Sequence, residues 1–89
     1  MQVIADEVKT DLRTRLRRIE GQMRGVQKML DENRDCQEVL QQLAAARAAF
    51  QNASLIFARN YALQCLHDPQ AKLTDEEMVE QLVSVLSKA

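Results

Sequence analysis

Apolar residues fall at helical spacing over most of the chain. Leu12, Leu16, Ile19, Met23, Val26 and Leu30 are separated alternately by four and three residues, which marks a heptad seam along one face of a helix. This predicts a first helix over about 5–31. Between Asp35 and Leu66 no glycine or proline occurs, alanine recurs at Ala44, Ala45, Ala46, Ala48, Ala49 and Ala53, and leucine, glutamine and arginine supply most of the rest. These are good helix formers, so the stretch reads as one straight central helix over about 36–67. The turn DENRD separates the two helices. Asp35 is a natural N-cap, and Glu38 three residues later completes a capping-box-like D-x-x-E. Beyond Pro69, which disfavours helical geometry in the residue before it, Thr74-Asp75-Glu76-Glu77 forms a second capping box. Met78, Leu82, Val85 and Leu86, with Val79 beside them, give the apolar stripe of a third helix over about 74–87.

The pattern predicts an all-α fold: a three-helix protomer with a long central helix, forming a single domain over residues 1–89. One proline, two glycines and no β-branched run argue against strands, and no internal repeat or linker divides the chain. Gly21 and Gly25 lie inside the first helix at a cost of up to about 1 kcal/mol each relative to alanine. Their presence predicts a closely packed neighbour, most simply another helix.

Size turns attention to assembly. Eighty-nine residues whose only aromatics are Phe50, Phe57 and Tyr61 make a thin core, so oligomerisation is expected to supply missing burial. The two cysteines bracket the central helix. At about 1.5 Å per residue Cys36 and Cys65 are roughly 43 Å apart, whereas bridged cysteines need Cα atoms within about 7 Å. They can meet between two chains if the helix pairs antiparallel with a copy of itself. Leu40 then faces the partner's Tyr61, Leu43 the partner's Ala58 and Arg47 the partner's Ser54, with Phe50 and Gln51 at the two-fold axis. Self-complementary pairing of this kind is what a C2 dimer requires.

Net charge is −1, but the charges are segregated. Lys9, Arg13, Arg15, Arg17, Arg18, Arg24 and Lys28 are set against Asp11 and Glu20 alone. The end of the chain has the opposite balance, with Asp68, Asp75, Glu76, Glu77 and Glu80 against Lys72 and Lys88. A basic helix can be simply a solvated face, but this density of arginine favours a polyanion such as DNA. Arg13, Arg17, Arg18 and Arg24 are the candidate phosphate contacts, and Arg47 and Arg59 on the central helix are weaker ones. The first residues lack the apolar segment of a signal peptide, and no apolar run reaches a membrane span, so a cytoplasmic protein with no membrane partner is expected. In that reducing compartment the cysteines are expected to bind metal, sense redox state or lie inert. No Ser/His/Asp set, phosphate loop or second histidine is present, so no enzymatic activity is expected.

The run RLRRIEGQMRGVQKML, followed six positions later by Cys36 and then by an alanine-rich helix ending in Cys65, resembles the CsoR/RcnR family. These are small all-helical bacterial repressors that sense copper, nickel or cobalt, formaldehyde, or sulfur species. The resemblance covers roughly Leu12 to Leu66. It implies an antiparallel dimer, a dimer of dimers (a homotetramer) and operator-DNA binding without a helix-turn-helix. In copper-sensing members the first cysteine comes from one protomer, and a histidine and cysteine four residues apart come from its partner. Cys36 and Cys65 match the thiolates, but Tyr61 stands at the histidine position. A phenol is a poor ligand for a soft Cu(I) ion. His67, about 200° round the helix from Cys65, points elsewhere and reads as a helix-end residue interacting with the last carbonyls.

A branch with two cysteines and no such histidine resembles the CstR-type persulfide sensors. Those carry asparagine where Tyr61 stands, and Asn60 here is adjacent but on another face. The resemblance therefore implies a repressor with no cofactor, whose inducer is a reactive sulfur species. Cys36 attacks first, because a helix N-terminus favours its thiolate and offers free backbone N–H groups; Cys65 then resolves the persulfide into a link between chains. Tyr61, Asn60 and Asp35 lie near that site, Tyr61 as a packing residue over the partner's Cys36. A repressor using Cu(I) on the same thiolates, Cys36 and Cys65, and a helical adaptor that binds no DNA are the alternatives.

Overall fold

The computed structural model describes residues 4–67 and 74–87, which form α1 (Asp6–Asp31), α2 (Cys36–His67) and α3 (Asp75–Ser87), with no strand among the described residues. A short turn folds α2 back along α1. The Asn33 N–H donates to the Leu30 carbonyl at 3.2 Å and the Arg34 N–H to the Met29 carbonyl at 3.0 Å, while Asn33 has φ 56°. This is a Schellman closure, in which the left-handed position is taken by asparagine, the residue after glycine best suited to it. At the open end of the hairpin the Ala5 N–H donates to Gln64 Oε1 at 3.2 Å, so the start of α1 lies beside the end of α2.

The Asp35 carbonyl accepts the Val39 N–H at 3.1 Å and so opens α2. The capping box expected there does not form as read. Glu38 turns to Arg34 instead, accepting hydrogen bonds from Nε at 2.9 Å and Nη2 at 2.6 Å, because a guanidinium one turn earlier offers a charge-assisted pair. At α3 the expected cap is present. Thr74 Oγ1 accepts the Glu77 N–H at 3.1 Å, which satisfies one of the orphan donors of the first turn. The expected interruption at Pro69 lies outside the described residues.

Ile19 and Val26 on α1 and the small residues Ala46 and Ala53 on α2 are buried where the two helices pack. The seam expected on α1 is only half buried. Met23 and Leu30 are 53% and 60% exposed and Leu16 is also exposed, whereas Val8, Leu12, Arg15, Gln22 and Met29 complete the partly buried row with Ile19 and Val26. The packing therefore runs along one edge of the heptad stripe and leaves the other edge open. Gly21 and Gly25 also depart from expectation. Among the described residues a Cβ at Gly25 would meet nothing within 4 Å and one at Gly21 only the tip of Arg24 at 4.0 Å, so within one protomer no helix lies close against this face.

α3 packs lightly on α2, with Met78 as its buried anchor. The radius of gyration of 17.0 Å exceeds the roughly 12 Å of a compact domain of this length. Much apolar surface stays uncovered. Leu40 (65% exposed), Leu43 and Phe50 (55%) lie on the open face of α2, the face expected to pair with a second copy. A groove of about 620 Å³ bounded by Ile19, Met23, Val26, Leu43, Phe50 and Leu86 runs along it.

Candidate sensing site and nucleic-acid face

Continuity of α2 from Cys36 to His67 settles where the thiols stand relative to one another. Cys36 is the first helical residue and is exposed, whereas Cys65 lies near the other end and is 6% exposed. Neither is in a disulfide, and the helix between them prevents their meeting within one protomer. Around Cys36 the local charges are partly committed: Arg34 is paired with Glu38 and stands 4.0 Å from Glu32. Asp35, immediately before Cys36, is exposed.

Around Cys65 the site is built from two helices. Tyr61 is one turn before Cys65 on α2, so both side chains share a face. The Tyr61 hydroxyl donates to Gln81 Oε1 of α3 at 3.2 Å. Burial, followed by the hydrogen bond and charge of Cys65, raises the Tyr61 phenol above its ordinary value of 10.0. Sequence reasoning misses Gln81, since a polar residue on a short helix carries no signal until the fold brings it to Tyr61. A second groove, of about 520 Å³, is lined by Leu12, Leu16, Phe57, Tyr61, Gln81 and Leu82. Asn60 is half-buried on a separate face beside Val8, Asp11 and Arg15, and His67 is exposed in the last turn of α2.

The arginines divide by their partners. Arg15 is bound to Asp11 at 2.9 Å and is half-buried in the α1–α2 row, while Arg24 stands 4.0 Å from Glu20. Arg13, Arg17 and Arg18 are exposed and make no ion pair with the described residues. Along α1, Arg13, Arg17, Arg24 and Lys28 fall at spacings of four, seven and four and so share one face, with the bare Gly21 between them. Arg47 and Arg59 are exposed on α2, and Arg47 lines the first groove beside Phe50.

The family described as "Metal-sensitive transcriptional repressor" matches residues 8–88. The chain belongs to this family. It is 35% identical over 80 residues to the copper-sensing transcriptional repressor CsoR of Bacillus subtilis, covering 90% of this chain and 79% of that protein. Among solved structures it resembles the copper-sensing repressor CsoR with Cu(I) from Geobacillus thermodenitrificans, with TM-score 0.81, 32% identity, and 99% and 92% of the two chains covered. It also resembles the nickel-responsive transcriptional regulator InrS, with TM-score 0.74, 34% identity, and 98% of each chain covered. These relatives are transcriptional repressors and regulators rather than enzymes.

Membership of the CsoR/RcnR family makes the donor set a question of chemistry. Among the described residues no three His, Cys, Asp or Glu side chains gather. Two thiolates, Cys36 and Cys65, suit a soft ion such as Cu(I), but only a second protomer could bring them together. The position one turn before Cys65 offers a protonated phenol already hydrogen-bonded to Gln81. A phenol that keeps its proton is a donor of hydrogen bonds and does not supply a third soft ligand. Two thiolates alone would give at most a two-coordinate site, and Tyr61 would not supply the third soft ligand of a trigonal one.

Proposed function

We propose that this family member represses transcription by binding operator DNA and is released by reactive sulfur species acting on Cys36 of one protomer and Cys65 of another. The observation that carries this reading is the chemistry around the thiols. Cys36 is exposed at a helix N-terminus, Cys65 is buried at the far end of the same helix, and the residue one turn before Cys65 is Tyr61 rather than an imidazole. The Cys36 thiolate attacks a sulfane sulfur of a polysulfide, forming Cys36–S–SH and expelling the shortened polysulfide anion. The Cys65 thiolate of a second protomer then attacks the inner sulfur, and hydrosulfide leaves. No cofactor takes part. An antiparallel dimer of α2 helices, assembling to a tetramer, supplies the second thiol, and the exposed Leu40, Leu43 and Phe50 favour that pairing. Arg13, Arg17, Arg18 and Arg24, with Arg47 and Arg59 as lesser contributors, are the phosphate contacts, and Asp35 and Asn60 flank the sensing region. No helix among the described residues is long and apolar enough to cross a membrane; a repressor of this kind acts in the cytoplasm.

A second reading, Cu(I) held by Cys36 and Cys65, is favoured by the copper-sensing relatives. Operator binding followed by mobility shift separates the two. Polysulfide is expected to release DNA and to convert the protein to a covalent dimer on non-reducing gels, with Cys36→Ser abolishing both responses. Release by Cu(I) under strictly reducing conditions, with no response to polysulfide, would overturn the sulfur reading. A helical adaptor would show no operator binding at all.

A further inference from the structure

The basic residue of the last turn of α1 is a cation that no described carboxylate holds. Lys28 is exposed and makes no ion pair with the described residues. We propose that Lys28 is a further operator contact: its ammonium binds a backbone phosphate at the end of the arginine row of α1 and brings the duplex up to the turn that carries Cys36. This contact rests on the DNA-binding reading and is independent of what the thiols sense.

Position on the helix makes Lys28 the last member of a row. Arg13, Arg17, Arg24 and Lys28 fall within about 60° of arc at roughly 100° per residue. At a rise of about 1.5 Å per residue the row runs roughly 22 Å with Lys28 and about 16 Å without it. A duplex presents one phosphate per strand for about every 3.4 Å of its axis, so the added length faces a further phosphate or two. Lys28 also counts for more than Arg24 does, because Arg24 stands 4.0 Å from Glu20 and shares its charge with that carboxylate.

Acidic neighbours leave the ammonium available. Asp31 and Glu32 follow Lys28 at the three- and four-residue spacings that bring side chains together on a helix, yet neither is paired with it. Arg34 collects the glutamates instead, standing 4.0 Å from Glu32 and 2.6 Å from Glu38. The backbone at Lys28 is fixed as well. Its carbonyl accepts the Glu32 N–H at 3.0 Å, and the Arg34 N–H donates to the adjoining Met29 carbonyl at 3.0 Å. A phosphate held by Lys28 therefore stands beside the closed turn from which α2 starts at Cys36. Lysine suits this place, since a point charge on a flexible stem reaches a phosphate without the fixed two-pronged geometry of a guanidinium.

The test uses the full chain and a fluorescent duplex that the native protein selects from a random-sequence pool, with affinity measured against salt. Lys28→Gln is expected to weaken binding several-fold and to lower the slope of log affinity against log salt by about 0.9 for each protomer that contacts DNA, whereas Lys28→Arg keeps the native slope. Amide hydrogen exchange at Glu32, Asn33 and Arg34 is expected to slow when the duplex binds the native protein, and to slow less in Lys28→Gln. A native slope in Lys28→Gln, beside a lowered slope in Arg17→Ala, would end the row at Arg24 and overturn the contact while sparing the DNA-binding reading. A lowered slope with no change of exchange in the turn would reveal a long-range field in place of a contact, and would also overturn it. A pool that yields no bound duplex would overturn the contact and the DNA-binding reading together.

Discussion

Cys36 and Cys65 occupy opposite ends of one unbroken helix, the first exposed and the second 6% exposed. Accessibility therefore orders their encounters with a reagent in solution. Limiting iodoacetamide followed by peptide mass spectrometry is expected to place the label on Cys36 well before Cys65. Equal labelling would mean that the end of α2 opens as readily as its start.

The uncovered face of α2 carries Phe50 at 55% exposure beside Arg47. If this face pairs with a copy of itself, Phe50→Ala should weaken the assembly by about 3 kcal/mol or more, since it removes a large apolar side chain from the centre. Arg47→Glu should cost less. Light scattering over a dilution series reads both, and a wild-type protein that stays monomeric would rule out the pairing.

Arginine partners make a graded prediction for DNA. Replacing Arg17 and Arg18 with alanine, neither of which is held by a described carboxylate, should weaken operator binding and lower the slope of log affinity against log salt by roughly 2 for each protomer that contacts DNA, about 0.9 for each phosphate left without its arginine. Arg15→Ala should change the slope less, because Asp11 already holds Arg15 at 2.9 Å. Unchanged slopes in all variants would reduce α1 to a solvated face.

Tyr61 gives the fold an alkaline limit. Burial first, and Cys65 second, raise its phenol above 10.0, so between the ordinary and the raised value the folded chain holds a proton that the unfolded chain has released. Stability from this group is present in full below the ordinary value and is lost as pH rises through the folded one. Urea titrations of the native protein and of Tyr61→Phe should thus show a gap in stability that changes only in that alkaline window, with the native protein losing ground. A gap independent of pH there would refute the assignment.

Asn33 holds the left-handed residue of the α1–α2 turn at φ 56°. Asn33→Gly should be tolerated, whereas Asn33→Val should destabilise by about 1–2 kcal/mol, the cost of placing a β-branched residue in that region. Thermal melts of the two variants make the comparison. Equal melting temperatures would show that the turn re-forms without a left-handed residue.

Local chemistry made the helices readable. Alanine without glycine or proline defines α2, and Thr74 with its acids opens α3 as a cap should, because caps and propensities act over a few neighbouring residues. Family membership was legible for the same reason, in a contiguous run from Arg15 to Leu30 and two cysteines at the ends of one helix. The first thiol could also be placed from sequence, since the start of a helix is a local event.

Tertiary structure decided the rest. Periodicity showed that α1 has an apolar stripe but not which edge of it meets α2. Ile19 and Val26 turn inward with the buried Ala46 and Ala53, while Met23 and Leu30 stay outside, a choice that depends on where the opposing helix lies and not on the spacing along α1. Glycines at 21 and 25 suggested a close neighbour, yet within the protomer they face solvent, because a missing side chain signals room without saying what fills it. Pairing of Tyr61 with Gln81, twenty residues apart and on different helices, depends on how α3 lies across α2. Spacing along the chain determines which residues share a helix face; only the packing of one helix on another determines what that face meets.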